Sequence, residues 1–248
     1  MKNLSNFRGF GHIKVMDGRS VADLVFRSAA LEGLLAEDID YLVGQNIKYV
    51  VDFRDNVDSR VKSAEVPGAI VKNINLLQNL YKNYTPMEEY AKTINAKLAS
   101  EHMKEIYYCL IVSESAINGY KEFFRHLLEA DGATLFHCQA GKDRTGIAAY
   151  LFLKLLGAGY NDIIADYLQT IEAKKETNAK LLEKYKQNGL LAENLEGVEI
   201  LISVSSEYLE FAIKTIDNEF GSFENYISNI IGLSEEDIKT LKEKYLFD

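Results

Sequence analysis

The chain has 248 residues, a formal net charge of −9, and 47% apolar residues. This length suits one of the larger α/β domains, or one domain with an appended helical part, and the apolar content suffices for a sizeable core. The negative charge argues against nucleic-acid binding, because that affinity depends on neutralising phosphates with basic side chains.

No apolar stretch runs long enough without a charge to predict a transmembrane helix, so stable membrane insertion is not expected. The N-terminal residues lack the apolar core of a signal peptide. We therefore expect a cytoplasmic protein, while secretion by a route without a signal peptide stays open.

The chain contains two cysteines, Cys109 and Cys138. Cys109 lies within an apolar helical run and is expected to be a small core residue, and a disulfide is not expected in a reducing compartment. The four histidines are scattered, and no Cys/His cluster has the spacing of metal ligands. The sequence therefore predicts neither a metal site nor a cofactor.

Strand-like and helical segments alternate through the first 160 residues. The β-branched and aromatic runs that predict strands lie at 25–28, 47–53, 69–76 and 134–136. The segments with helical spacing lie at 31–45, 85–112, 115–130 and 147–156. The second of these helices begins with the capping-box pattern of Thr85 and Glu88 around Pro86. This order predicts an α/β fold with a central, mainly parallel sheet of about four to five strands flanked by helices.

The C-terminal half is expected to be largely helical. The candidate helices are 162–172, 178–188, 206–219, 222–231 and 234–245. We expect a single domain over 1–248, with an α/β core in 1–160 and a helical part in 161–248. The charges between 172 and 186 are explained most simply as a solvated helix face. The alternative is a mobile lid within 162–205 that carries basic residues for an acidic substrate.

Residues 137–146 read His-Cys-Gln-Ala-Gly-Lys-Asp-Arg-Thr-Gly and form the most informative stretch of the chain. An apolar run precedes them and a longer apolar run follows, which predicts a strand, a tight loop and a helix. The backbone N–H groups of such a loop can surround one anion, and the start of the helix adds its positive dipole end. The residues predicted to bind this phosphate are Gln139, Ala140, Gly141, Lys142, Asp143 and Arg144.

Cys138 and Arg144 are the candidate catalytic pair. The inward N–H groups, the helix start and Arg144 favour ionisation of the Cys138 thiol to the thiolate, which is the nucleophilic form. Cys138 is then expected to attack a phosphorus atom in line, while Arg144 holds two equatorial oxygens of the phosphate. We expect the hydroxyl of Thr145 to donate to the thiolate, and His137 to orient the loop.

The leaving oxygen of a phosphate ester needs a proton, and general-acid catalysis is worth about 10²–10⁴ in rate. Asp143 is the favoured acid because the loop places it beside the bound phosphate. Its rivals are Asp52, Asp55 and Asp58, which follow the second predicted strand, where open α/β sheets bind ligands. Lys142 adds a second positive charge that suits a multiply charged substrate.

Residues 137–146 resemble the signature loop of the cysteine-dependent protein tyrosine phosphatases. The form Ala-Gly-Lys-Asp-Arg-Thr-Gly is similar to a bacterial branch of tyrosine and dual-specificity phosphatases with phosphoinositide activity, which includes secreted phosphatases of mycobacteria and Listeria. Three further segments are similar to that branch, namely Asn6-Phe7-Arg8, Phe26-Arg27-Ser28 and Asp52-Phe53-Arg54. The chain departs from the branch at Gly9-Phe10, where Asp-Leu is usual.

This resemblance implies a cysteine-phosphatase fold and a phosphocysteine intermediate, with Cys138 as nucleophile and Arg144 as phosphate binder. It also implies that Asp143 is the general acid and that Lys142 serves phosphoinositide-type substrates. The supporting residues are expected to be His137, Thr145, Asp52 and Arg54, and the arginines expected near the pocket are Arg8, Arg27 and Arg54.

The expected function is hydrolysis of phosphotyrosine in proteins, extending to phosphoserine and phosphothreonine, so the expected partner is a phosphotyrosine protein or a phosphoinositide. One alternative is a phosphatase that acts mainly on phosphoinositides. A weaker alternative is a phosphate-binding module without turnover. Sulfur transfer or arsenate reduction at Cys138 is a third.

Overall fold

The computed structural model describes residues 3–55, 65–78 and 86–248 of the chain. Within these ranges the main sheet has five strands in the spatial order β1-β3-β6-β4-β5. Their bounds are β1 Arg8–Gly9, β3 Val25–Ser28, β6 Ala133–His137, β4 Ile47–Asp52 and β5 Ile70–Asn73. Only β1 runs antiparallel to its neighbour; the other pairs are parallel. The predicted α/β fold with a mainly parallel sheet is thereby confirmed.

The central strands β3, β4 and β6 end at the same edge of the sheet. His137, the last residue of β6, lies opposite Ser28 on one side and Asp52 on the other. All five residues of β6 and all four of β3 are buried, as expected for parallel strands covered on both faces. The loops that leave these three strands therefore meet at one edge, where open α/β sheets bind ligands.

Helices flank the sheet and make up most of the C-terminal half. Their bounds are α1 Ala36–Gly44, α2 Met87–Tyr90, α3 Ala96–Val112, α4 Glu114–Glu129, α5 Asp143–Leu156, α6 Tyr160–Gln187, α7 Ala192–Ile202, α8 Ser206–Phe220, α9 Phe223–Asn225, a π-helix Tyr226–Ile231 and α10 Glu235–Tyr245. A short strand β7, Leu246–Phe247, pairs with β2, Ser20–Val21, and so brings the C-terminus back to the N-terminal segment. No helix in the described ranges has both the length and the apolar character needed to span a membrane.

Three predicted helices in the first half have clearly different bounds in the structure. The predicted helix 147–156 begins four residues earlier, at Asp143. The predicted helix 85–112 is divided into α2 and α3, because the side chain of Asn95 accepts a hydrogen bond from Leu98 N at 3.0 Å and starts a new helix. Thr85, its predicted cap, lies outside the described residues. The predicted helix 31–45 begins only at Ala36, since Gly33 has a φ of +61° that no regular helix accepts.

The helical half differs from the prediction at three places. The candidate 222–231 is divided into the short α9 and the π-helix. The candidates 162–172 and 178–188 form one continuous helix, α6, because no glycine or proline interrupts the chain between them. α7 was not predicted, and it packs closely against the start of α3. A Cβ at Gly197 would lie 2.9 Å from the backbone of Asn95, so only glycine permits this approach. The division into a core over 1–160 and a helical part over 161–248 stays a prediction.

α5 is the central helix of the fold. Of its 14 residues, all but Asp143 and Lys154 are buried, which is typical of a helix surrounded by other elements. It ends at Gly157, whose φ of +98° suits a left-handed cap. Because α5 is packed on all sides, its first turn has a fixed position at the edge of the sheet.

Candidate active site

The loop between β6 and α5 has the predicted strand–loop–helix form. Cys138 follows β6 directly, and Lys142 occupies the N-cap position of α5. Gly141 has a φ of +67°, and a Cβ there would lie 2.3 Å from the carbonyl oxygen of Ser28, so no other residue fits. The carbonyl oxygen of Gln139 accepts a hydrogen bond from Ala30 N at 3.0 Å. The loop is thus fastened to the segment that follows β3.

Cys138, Arg144 and Thr145 are brought together around the start of α5. Cys138 is buried, and Arg144 is 9% exposed, with its Nη1 3.5 Å from the carbonyl oxygen of Phe53. The hydroxyl of Thr145 is fully buried and has no hydrogen-bond partner among the residues that the structure describes. The hydroxyl therefore has a proton to donate, and its predicted hydrogen bond to Cys138 stays a prediction.

Asp143, the first residue of α5, is held from two sides. The hydroxyl of Tyr107 donates a hydrogen bond to its Oδ1 at 2.9 Å. Lys142 Nζ lies 2.9 Å from Oδ1 and 2.8 Å from Oδ2. Tyr107 lies on α3, 36 positions earlier in the chain. No local pattern in the sequence distinguishes it from a core residue. The carboxyl group is therefore fixed beside the loop, with a tyrosine behind it.

The rival carboxylates at the end of β4 are placed differently. Arg54 Nε lies 3.0 Å from both oxygens of Asp52, and Nη2 lies 2.9 Å from Oδ2. Burial raises the pKa of Asp52, but the hydrogen bonds and charge of Arg54, together with His137, leave the pKa below its usual value. Asp52 is therefore the charged partner of Arg54. Asp55 is buried nearby, and Asp58 lies outside the described residues.

Arg54 also reaches the loop through Glu32. Arg54 Nη1 lies 2.6 Å from Glu32 Oε1, and Glu32 Oε2 accepts a hydrogen bond from Gln139 Nε2 at 3.2 Å. Arg54 Nη1 is itself 3.3 Å from Gln139 Oε1. This network thus holds the side chain of Gln139 outward. Only the backbone of Gln139 then takes part in the loop.

His137 is fully buried beneath the loop. Its Nδ1 lies 3.2 Å from the carbonyl oxygen of Cys138, and because a carbonyl only accepts, Nδ1 carries the proton. Burial lowers the pKa of His137, against the opposing effect of Asp52, so the ring is neutral at pH 7. A neutral, buried ring suits the predicted orientation of the loop better than proton transfer.

Arg8 and Arg27 lie on either side of Asp166, which belongs to α6. Asp166 is 1% exposed, and each arginine approaches one of its oxygens at 2.6 Å. Burial raises the pKa of Asp166, but the two arginines outweigh it and keep the group ionised. Arg27 Nη2 then donates to the carbonyl oxygen of Gly141 at 2.9 Å. Arg27 was expected near the pocket, and it contacts the loop as a fully buried residue that supports it from behind.

One face of α6 follows the loop. Asp166, Tyr167 and Thr170 lie on this face, and Thr170 Oγ1 lies 3.4 Å from the side-chain amide of Asn6, which itself donates to the carbonyl oxygen of Gly141 at 2.9 Å. Lys174 lies one helical turn beyond Thr170. Whether the segment 162–205 moves as a lid stays a prediction.

Lys174 differs from the other charged residues in this part of α6. It is half-buried, whereas Lys175 and its other immediate neighbours are exposed. Burial lowers the pKa of its ammonium below the usual value, with Cys138 opposing this effect and the nearby charge of Lys142 adding to it. Within residues 3–55, 65–78 and 86–248, no hydrogen bond or ion pair engages it. Lys174 is therefore a cation that faces the loop without a partner of its own.

The fold and this loop define a class of protein. A loop with cysteine at its start and arginine at its end connects a buried parallel strand to a buried helix, at the edge where the sheet's strands end. The family model of the tyrosine phosphatase family matches residues 1–247. The chain therefore belongs to the tyrosine phosphatase family. This confirms the predicted family and the predicted enzyme class, a protein tyrosine phosphatase, and it implies phosphoprotein substrates.

Individual relatives are similar over different shares of the chain. A protein of Cupriavidus necator, named provisionally as a tyrosine-protein phosphatase, is 28% identical over 250 residues, which cover 98% of this chain and 86% of that protein. The triple specificity protein phosphatase PtpB of Mycobacterium tuberculosis is 32% identical over 124 residues, or 47% of this chain and 45% of PtpB. A tyrosine-protein phosphatase of Nostoc commune is 49% identical over 49 residues, which cover 19% of this chain and 17% of that protein.

Proposed function

We propose that this chain hydrolyses phosphotyrosine in proteins through a phosphocysteine intermediate on Cys138. The observation that carries the proposal is the position of Cys138. It is a buried cysteine at the start of a loop that is fastened by buried contacts and ends in Arg144 at the first turn of α5. The helix start and the guanidinium favour a bound phosphate at this point.

In the first step the Cys138 thiolate attacks phosphorus, so that an S–P bond forms and the P–O bond to the tyrosine breaks. Asp143 gives its proton to the departing tyrosine oxygen. Arg144 and the loop N–H groups hold the equatorial oxygens, where charge is concentrated in the transition state.

In the second step a water molecule attacks the phosphorus of the intermediate and breaks the S–P bond. Asp143, now ionised, takes a proton from this water and is thereby restored. The hydroxyl of Thr145 stabilises the departing thiolate by donating to it. Inorganic phosphate leaves, and the cycle ends with the Cys138 thiolate it began with.

The substrate panel that tests this function compares a phosphotyrosyl peptide, a phosphoseryl and a phosphothreonyl peptide, and a phosphoinositide in vesicles. We expect the highest kcat/KM for the phosphotyrosyl peptide, with Cys138→Ser as the blank. A higher value for the phosphoinositide would instead favour the lipid phosphatase. Tight binding of the peptides without product would favour a binding module.

Asp143→Asn is expected to lower kcat for phenyl phosphate, a poor leaving group, by about 10²–10⁴, because the leaving oxygen then departs without a proton. An aryl phosphate with an acidic phenol needs little protonation, so its rate is expected to fall far less. The measurement is the slope of log kcat against leaving-group acidity. The control is Asp131→Asn, an exposed carboxylate remote from the loop. Equal losses of kcat for all substrates would show that Asp143 is not the general acid. If Asp55→Asn instead lowers kcat mainly for poor leaving groups, Asp55 is the acid.

We further propose that Lys174 binds an acidic residue beside the phosphotyrosine. Lys175 lies 3.2 Å from Glu172 and Lys180 lies 2.6 Å from Glu176, so the neighbouring lysines of α6 are already paired. Lys174 lacks such an acidic partner on α6. An anionic membrane would call for a broad basic patch, and the net charge of −9 opposes such a surface. A single acidic side chain of a phosphopeptide matches this arrangement.

Lys174→Ala is expected to raise KM about fivefold for a phosphotyrosyl peptide with an adjacent glutamate, which corresponds to about 1 kcal/mol for a partly exposed ion pair. The same peptide with glutamine in that position is expected to change less than about twofold. Lys175→Ala, which removes an exposed lysine one position along α6, is the matched control and should leave both peptides unchanged. An equal change in KM for the two peptides would show that Lys174 does not bind the glutamate side chain.

A further inference from the structure

Two buried tyrosines form a chain of hydroxyl groups behind Asp143. Tyr107 on α3 and Tyr167 on α6 have their hydroxyl oxygens 2.5 Å apart, and both residues are almost fully buried. The hydroxyl of Tyr107 is also 2.9 Å from Asp143 Oδ1. The reaction steps above use neither tyrosine, although burying two hydroxyl groups has a cost unless they are well paired.

The direction of these hydrogen bonds follows from the protons available. Burial, with the nearby charge of Asp143 adding to it, raises the pKa of Tyr107 and of Tyr167 well above the ordinary value, so both keep their protons at neutral pH. A carboxylate oxygen only accepts, so Tyr107 donates its single proton to Asp143. Tyr107 then has only a lone pair to offer, and Tyr167 donates to it.

We propose that Tyr107, backed by Tyr167, is a positioning residue that decides which oxygen of Asp143 carries the catalytic proton. Lys142 Nζ lies within 2.9 Å of both oxygens, but Oδ1 alone also accepts from the Tyr107 hydroxyl. Oδ1 is therefore the better-satisfied acceptor, and the proton resides on Oδ2. This inference rests on the proposed role of Asp143 as general acid.

The arrangement suits a group that must be an acid in one step and a base in the next. When Oδ2 is protonated, Oδ1 is the carbonyl-like oxygen of the acid and still accepts from Tyr107. When Oδ2 has lost its proton, Oδ1 belongs to a carboxylate and accepts as well. The hydrogen bond from Tyr107 is therefore kept through the whole cycle, and the side chain of Asp143 need not turn.

α6 contributes to the site through adjacent residues. Asp166 organises the two arginines that support Gly141, and Tyr167 completes the hydroxyl chain to Asp143. One turn of α6 thus supports both the loop backbone and the carboxyl group. Gly146 permits this contact, since a Cβ there would lie 2.9 Å from the ring of Tyr167.

Tyr107→Phe tests the proposal. It is expected to lower kcat for phenyl phosphate about tenfold, and to change kcat for an aryl phosphate with a very acidic phenol less than about twofold. Tyr167→Phe leaves Tyr107 in place and is expected to act in the same direction with a smaller loss, which gives an independent readout if Tyr107→Phe folds poorly. The matched control is Tyr245→Phe, another fully buried tyrosine, whose hydroxyl donates to the carbonyl oxygen of Leu127 at 2.8 Å. It should not alter leaving-group sensitivity.

The double variant Tyr107→Phe with Asp143→Asn separates a positioning role from a structural one. If Tyr107 acts through Asp143, the double variant is as slow toward phenyl phosphate as Asp143→Asn alone. Losses that multiply, or a Tyr107→Phe loss that is equal for good and poor leaving groups, overturn the inference. If Asp143→Asn itself shows no leaving-group dependence, the proposed acid and this inference fail together. If that dependence is present and Tyr107→Phe lacks it, the inference alone fails.

Discussion

Cys138→Ser is expected to lower kcat toward phosphate monoesters by about 10⁴ or more. A serine hydroxyl is a far weaker acid than a thiol, and His137 is not placed to activate it, because its Nδ1 proton is directed to the carbonyl of Cys138. The loss of an essential nucleophile in other hydrolases is of this order. The measurement is kcat with a chromogenic aryl phosphate. Because the loop and Arg144 are unchanged, phosphopeptide binding should persist, which calorimetry can show.

The other cysteine supplies the control. Cys109 is a free, half-buried thiol on α3 that packs at the edge of the core. Cys109→Ser is expected to keep kcat within about twofold of the wild type. Substantial turnover by Cys138→Ser, or a comparable loss in Cys109→Ser, would contradict the assignment of Cys138 as the nucleophile.

Arg144→Lys is expected to lower kcat/KM by about 10³ even though it preserves the positive charge. A guanidinium presents two parallel N–H donors to two phosphate oxygens, whereas an ammonium contacts them as a point charge. Arg144 is largely buried between the loop and the strand end at Phe53, so this geometry is fixed before substrate binds. Losing a preorganised donor to the transition state costs about 10²–10³ in comparable sites, and here two donors change together.

Separate measurement of kcat and KM for Arg144→Lys distinguishes stabilisation of the transition state from binding of the substrate phosphate. An interaction that strengthens in the transition state affects kcat as well as KM. Arg19→Lys, at an exposed arginine paired with Asp17, is the control and should leave both constants unchanged. A change in KM alone would mean that Arg144 only binds the phosphate and contributes nothing further as charge develops.

The loop and the strands around it were predicted from local sequence patterns. The alternation of apolar runs with glycine and charge is a short-range pattern, so β3, β4 and β6 lie within one or two residues of their predicted bounds. The strand–loop–helix arrangement of 137–146 is equally local. The resemblance of this segment to the tyrosine phosphatases then gave the family, which the match over residues 1–247 confirms.

Tyr107, Asp166 and Tyr167 support the site and were not predicted, because they lie far from the loop along the chain. Tyr107 lies in an apolar helical run, where a tyrosine is indistinguishable from an ordinary core residue. Asp166 offered a weak signal, since an acidic residue on the apolar face of α6, between Ile163 and Tyr167, needs a buried partner. Its partners Arg8 and Arg27 are more than 130 positions away, and nothing in the local pattern joins them.

The partners of the candidate general acids could not be predicted from the sequence either. The sequence placed Asp52 at the carboxyl end of a central strand, which is a functional position by topology. The structure shows that Arg54, two positions later, takes both of its oxygens. A pairing of this kind depends on side-chain direction after the strand ends, which composition and periodicity do not determine.

The proposed phosphocysteine intermediate on Cys138 can be tested by trapping it. Wild-type protein is mixed with a phosphotyrosyl peptide, denatured within milliseconds, digested, and analysed by mass spectrometry. We expect a phosphate on the peptide that contains Cys138. In the Cys138→Ser variant, the amount of phosphate on this peptide is expected to fall to background. Turnover without any phosphate on the protein, or with phosphate attached to another residue, would contradict the account.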